Sequence, residues 1–243
     1  MTVEPRKSTT SFLYISILVI LFVVGISFFL QSSYFNIEAV SIEGLQEIPL
    51  NEIERLTTDV TGQNLIMLDQ RQLEQKVLLH PLVESVAFKK KFPNRLVLEV
   101  QERTPVALVI VASGIVEVDG KGIYLRRREG WPEQSYPVIN GVTLPDTAGP
   151  GQELDLPGLK AALNLLGQAP QELRPLIGEI YVNPIQQIIL FLTDGIEVRL
   201  GKADAWAEKL KSLYTLINDE GYKSFKNGVR YIDFTAAKPV IGR

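Results

Sequence analysis

Hydrophobic positions are spread very unevenly along this chain. From Phe12 to Leu30 they are almost continuous: "FLYISILVILFVVGISFFL" is 19 residues without one charge. As a helix rising about 1.5 Å per residue, the run would reach ~28 Å, close to the hydrocarbon thickness of a bilayer. A core helix of that length would show a polar stripe, and none is visible. A cleaved signal peptide has a shorter apolar core and small residues at the cut, whereas this run ends in Phe28-Phe29-Leu30. The pattern predicts a retained membrane anchor over residues 12–30.

Beyond the anchor the spacing changes. Phe35–Glu43 reads as a strand ending at Gly44. Pro49 then stands at a helix start, with Leu50, Ile53 and Leu56 at helical spacing and Gly62 as a stop. A second helix opens at Asp69, where Asp69 and Gln72 form a capping-box pattern, and it ends before His80-Pro81. Two strands follow, near Ser85–Lys90 and Arg95–Arg103, joined across "KFPN". Alternation of Leu96, Leu98 and Val100 with Arg95, Glu99 and Gln101 marks the second as half-buried. Residues 34–104 thus predict a small β-α-α-β-β unit.

Residues 105–234 predict a β-rich second unit. "ALVIV", "GIVEVD" and "GIYL" are short strands, and the Pro- and Gly-rich stretch from "PVINGV" to "DLPG" reads as a surface connection. Leu159, Ala162, Leu163 and Leu166 mark a short helix. Three strands with turns at Asn183-Pro184 and Asp194-Gly195 follow. A longer helix over Ala203–Asp219 carries the stripe Trp206, Leu210, Leu213 and Ile217, with Gly221 after its end. Val229–Phe234 is the last strand, and residues 235–243 read as a loose tail. The fold class is α+β.

Charge adds an orientation. Arg6 and Lys7 precede the apolar run, while the first charges after it are Glu38, Glu43 and Glu47. The positive-inside bias puts residues 1–11 in the cytoplasm and the bulk outside. A net charge of −3 argues against a dedicated nucleic-acid binder. With no cysteine, thiol catalysis, thiolate metal sites and disulfides are excluded.

Candidate chemistry is sparse. Ser-x-x-Lys and His-Glu-x-x-His are absent, and His80, the one histidine, suits a helix terminus. "GIEVRLGKA" misses the P-loop spacing, and "DGKG" at Asp119–Gly122 lacks the further ligands of a calcium loop. No catalytic residue, metal or cofactor is expected. Lys89–Lys91 and Arg126–Arg128 read as solvated strand ends, because alternation sends neighbouring lysines to opposite faces; contact with anionic lipid headgroups or wall polymer is the alternative reading.

The order of these pieces carries a resemblance. The "V..I.G" first strand, "TGQNLIMLD", "HPLVESVAFKKKFPNRLVLEV" and "ERTPVAL" resemble a POTRA domain of the FtsQ/DivIB family of bacterial cell-division proteins. The likeness continues through "VDGKGIYL", "YPVINGV", "DGIEVRLGK" and "YIDF". It implies a non-catalytic, single-pass inner-membrane scaffold at the division septum that helps assemble and regulate septal peptidoglycan synthesis. Its implied partners are the FtsL and FtsB (DivIC) coiled-coil pair, bound outside the membrane by addition of a partner strand to the last strand. The implied contacts are Val229, Arg230, Tyr231, Ile232, Asp233, Phe234 and Thr235, with Lys202 at the position of a basic partner-facing residue. The chain departs from the family in having "TAAKPV" where an aromatic follows the "YID" element. The POTRA hairpin, including Lys89 and Arg95, is implied as a second surface for other division proteins. An envelope chaperone using its POTRA domain, or a wall-modifying enzyme, are the competing readings.

Overall fold

The computed structural model describes residues 9–112, 114–202, 204–236 and 238–243. Arg6 and Lys7, on which the orientation rests, lie outside them, as does Ala203. The chain divides into two units, residues 1–102 and 103–243.

In the first unit, α1 (Thr9–Leu30) starts three residues ahead of the apolar run. None of its apolar window is buried by the protein, so the whole surface is left for lipid. After a 3-10 turn come β1 (Ala39–Glu43), α2 (Leu50–Thr57), α3 (Gln70–Val77), β2 (Val83–Lys91) and β3 (Arg95–Glu102). The central β3 runs parallel to β1 and antiparallel to β2. Leu96, Leu98 and Val100 meet Ile53, Leu73 and Val77 of the two helices, as the alternation required. Asp69 caps α3, its Oδ1 accepting from the Arg71 and Gln72 amides at 3.0 and 3.2 Å. Glu102 ties the end of β3 to the loop before α2 by accepting from the amides of Gln46, Glu47 and Ile48.

The second unit is built on one nine-stranded sheet. Its strands are β4 (Ala107–Val111), β5 (Gly114–Val118), β6 (Tyr124–Arg128), β7 (Val138–Asn140), β8 (Ile177–Val182), β9 (Ile188–Leu192), β10 (Glu197–Gly201), β11 (Tyr231–Asp233) and β12 (Val240–Gly242). In space the order is β12-β11-β10-β9-β8-β7-β4-β5-β6. The helices α4 (Pro157–Gln168) and α5 (Trp206–Asn218) contribute Leu159, Leu165, Trp206 and Leu210 to the core formed with Val109, Ile180, Leu190 and Val198.

Three elements differ from the sequence reading. The stretch taken as a surface connection contains β7, an interior strand parallel to both β4 and β8, with Ile139 fully buried. Pro137 and Gly141 bracket those three residues and mask them. Gly141 is required there: its φ is +81°, and a Cβ would lie 1.9 Å from the Val182 carbonyl oxygen. Gly221 does come after the end of α5, but as part of a further helix, α6 (Glu220–Phe225), which Asp219 caps through the Tyr222 amide at 3.0 Å. Finally, the tail at 235–243 is not loose throughout. Val240–Gly242 returns as β12, because Val240 and Ile241 are β-branched residues that can cover the exposed edge of β11.

Candidate functional site

The C-terminal end of the large sheet gathers the strand residues singled out in the sequence. β11 lies between two neighbours. It is parallel to β10, with Glu197, Val198 and Arg199 opposite Tyr231, Ile232 and Asp233. It is antiparallel to β12, with Gly242, Ile241 and Val240 opposite the same three residues. The expected free edge on Val229–Phe234 is therefore occupied, and β12 is the terminal strand at this end. Alternation along β11 sends Ile232, and Phe234 after it, into the core and leaves Tyr231 and Asp233 half-exposed; ahead of the strand Val229 is buried, and Arg230 and Thr235 are exposed.

A small polar cluster organises the half-exposed side. The Arg199 guanidinium lies over the Tyr231 ring at 4.4 Å from its centroid. Its Nε donates to Glu197 Oε1 at 2.7 Å, and Nη1 stands 4.0 Å from Asp233 Oδ2. Asp233 Oδ1 accepts from the Thr235 amide at 2.7 Å and the Thr235 hydroxyl at 2.6 Å. Partial burial pushes the Asp233 carboxyl up, but the two Thr235 bonds and the Arg199 charge outweigh it and hold the group below the usual carboxylate range.

Lys202 belongs to the same neighbourhood. It is exposed and directly follows Gly201, whose φ is +76° and whose Cβ would stand 3.1 Å from Thr235 Cγ2. Lys202 and the strand 229–235, far apart in sequence, are thus brought side by side at one end of the sheet.

The hairpin of the first unit is a separate place. Lys89 and Lys91 lie on the face away from the helices, opposite Val97 and Arg95, while Lys90 lies on the other face and donates to the Ile66 carbonyl at 3.2 Å. Lys89 is paired with Glu99, and Arg95 is exposed. Elsewhere, the Arg126–Arg128 run lies within β6 and is not the solvated strand end expected: Arg126 and Arg128 both bind the buried carboxylate of Glu117, the first at 2.7 Å. His80 binds Glu52 at 2.9 Å.

Family profiles match both units: "POTRA domain, FtsQ-type" over residues 35–103, and "Cell division protein FtsQ/DivIB, C-terminal" over residues 107–234. The chain belongs to the FtsQ/DivIB family of cell-division proteins. It is 30% identical to the cell division protein FtsQ of Myxococcus fulvus over 215 residues, covering 84% of this chain and 72% of that one. It is 24% identical to the cell division protein DivIB of Clostridium botulinum over 232 residues, 89% of this chain and 86% of the other. Among solved structures it resembles the major extracytoplasmic domain of DivIB from Geobacillus stearothermophilus, at 18% identity and a TM-score of 0.34. That match spans 53% of this chain and 98% of that one. A POTRA domain, a β-rich FtsQ/DivIB domain and, among the described residues, one helix long and apolar enough to span a membrane are the pattern of a membrane-anchored cell-division protein.

Sequence reasoning missed three features of the FtsQ/DivIB sheet end: β12 itself, the Arg199–Tyr231 stack and the contact of Gly242 with Tyr231. Only the first left a signal, the short β-branched pair after Pro239. The stack joins strands far apart in the chain, and no local pattern encodes it.

Proposed function

We propose that this chain is a non-catalytic scaffold of the bacterial division machinery, held in the inner membrane by α1 with its bulk outside. An FtsL/FtsB(DivIC)-type coiled-coil pair lays an extended segment along β11, taking the place of β12. In this way the protein helps assemble and regulate septal peptidoglycan synthesis. The single observation carrying the reading is that β11, which contains Tyr231 and lies beside Arg199 and Lys202, is covered on its outer side by a strand of only three residues. Strand addition draws affinity from backbone pairing and specificity from alternate side chains, and a longer incoming strand makes more of both. Val240 is 49% exposed and Ile241 alone of the strand packs against the core, half-buried, so little apolar burial holds β12 in place.

The test is binding of the full chain in lipid nanodiscs to the soluble ectodomain of its partner pair. Thr235→Pro, which removes the amide bonded to Asp233, weakens binding; Ile241→Pro, which unseats β12, strengthens it. Binding weakened by Ile241→Pro would put the contact on β12 instead. Absence of binding by the unmodified chain, with the partner pair folded, would overturn the scaffold reading.

A further inference from the structure

The end of α1 and the tip of the β2–β3 hairpin are joined. Rings of Phe29 and Phe35 meet edge to face at 5.3 Å between centroids, and Phe35 meets Phe92 of the hairpin turn at 6.3 Å. Asn64 adds a polar tie: its Nδ2 donates to the Leu30 carbonyl at 2.9 Å, while its Oδ1 accepts from the Ile66 amide at 2.9 Å. The last turn of α1, the loop at 64–67 and the hairpin tip therefore lie together, where the helix leaves the bilayer.

What this corner exposes is unusual for a water-facing surface. Tyr34, Met67 and Phe92 are 61%, 62% and 61% exposed. Beside Phe92, Lys91 and Arg95 are directly opposite each other across the two strands, and both are exposed. Like charges facing across a strand pair are destabilising unless an anion lies between them. The neighbouring charges are committed: Lys89 to Glu99, Lys90 to the Ile66 carbonyl, and Glu38 to the Asn94 amide at 2.6 Å. Among the described residues neither Lys91 nor Arg95 has an acidic partner.

We propose that this corner is a membrane-surface anchor, with Tyr34, Met67 and Phe92 in the interfacial layer and Lys91 and Arg95 holding the phosphate of an anionic lipid headgroup. Aromatic rings favour the interfacial depth, and clustered cations beside a membrane span are drawn to anionic lipid. The inference rests on α1 crossing the membrane and is independent of which partner binds the large sheet.

Because the chain has no cysteine, single-cysteine variants accept one spin label each. Met67→Cys reports on the corner, and Gln101→Cys, exposed at the far end of β3, reports on water. With the full chain in phosphatidylcholine vesicles containing phosphatidylglycerol, the label at position 67 is expected to be several-fold better shielded from a water-soluble nickel relaxation agent than the label at 101. Adding Lys91→Gln and Arg95→Gln, or using phosphatidylcholine alone, lowers that shielding. Melting in neutral detergent, where the double variant is expected to match or exceed the parent, confirms that it folds. Equal accessibility at 67 and 101 overturns the anchor. Shielding that ignores both the lipid charge and the double substitution overturns the headgroup assignment.

Discussion

Gly242 sits against the ring of Tyr231, its register partner across β11 and β12: a Cβ on Gly242 would come within 2.1 Å of Tyr231 Cε1. The ring is also in contact with the Arg199 guanidinium. The absence of a side chain at 242 is therefore what lets β12 close over β11 while Tyr231 keeps its stack.

Gly242→Leu should accordingly unseat β12 without unfolding the unit. Hydrogen exchange is expected to rise at the Arg230 amide, which donates to the Gly242 carbonyl at 2.9 Å, while the core amides of β8 and β9 stay protected. If β12 occupies the partner's place, the partner pair should bind the variant more tightly. A gain of up to about tenfold corresponds to removing roughly 1.4 kcal/mol of competition.

Glu102 predicts an acid-sensitive first unit. Partial burial raises its carboxyl, but the Gln46, Ile48 and Glu47 amides, with the charge of His80, lower it more, and the net displacement is downward. A carboxyl lowered on folding contributes stability that is fully present above its unfolded pKa of about 4.3. That stability is lost as the pH falls through the folded value. Glu102→Gln is expected to cost about 1 kcal/mol at neutral pH, a small loss because the carboxylate is partly solvated. It should also flatten the fall in melting temperature on acidification below about pH 4.3.

Glu117 is fully buried and neutralised by two arginines from β6. Glu117→Ala removes the carboxylate that Arg126 and Arg128 share, but both side chains are partly exposed and can turn to water. The loss expected in urea unfolding of the second unit is about 2–3 kcal/mol, below that of a wholly buried pair. Glu117→Gln keeps one acceptor and should cost less.

Lys202→Glu tests the charge beside the strand site. The side chain is exposed, so the melting temperature should stay within about 1 °C, consistent with the small effect of surface substitutions. Partner association should slow several-fold at low salt, the difference shrinking as salt is added.

Legibility in the sequence followed how local the encoding was. The apolar run, the Asp69 cap and the alternation of Leu96, Leu98 and Val100 are contiguous signals, and each became the element it specified. β7 failed the same reading because three residues between Pro137 and Gly141 are too few to show a period. Gly221 looked like a terminator, yet the Asp219 cap starts another helix before it. The end of the large sheet was the least legible: residues 202 and 229–235 could be named, but not their meeting. That proximity depends on the close approach of Gly201 to Thr235 and on β12 folding back.

The bond from Asn64 to Leu30 has a mechanical consequence. With the last turn of α1 fastened to the loop at 64–67 and ring-packed on the hairpin, a swivel between span and domain has to break those contacts first. Up to that point a turn of α1 about its own axis carries the POTRA unit with it, so a grip on one side of α1 biases the compass direction in which that unit faces.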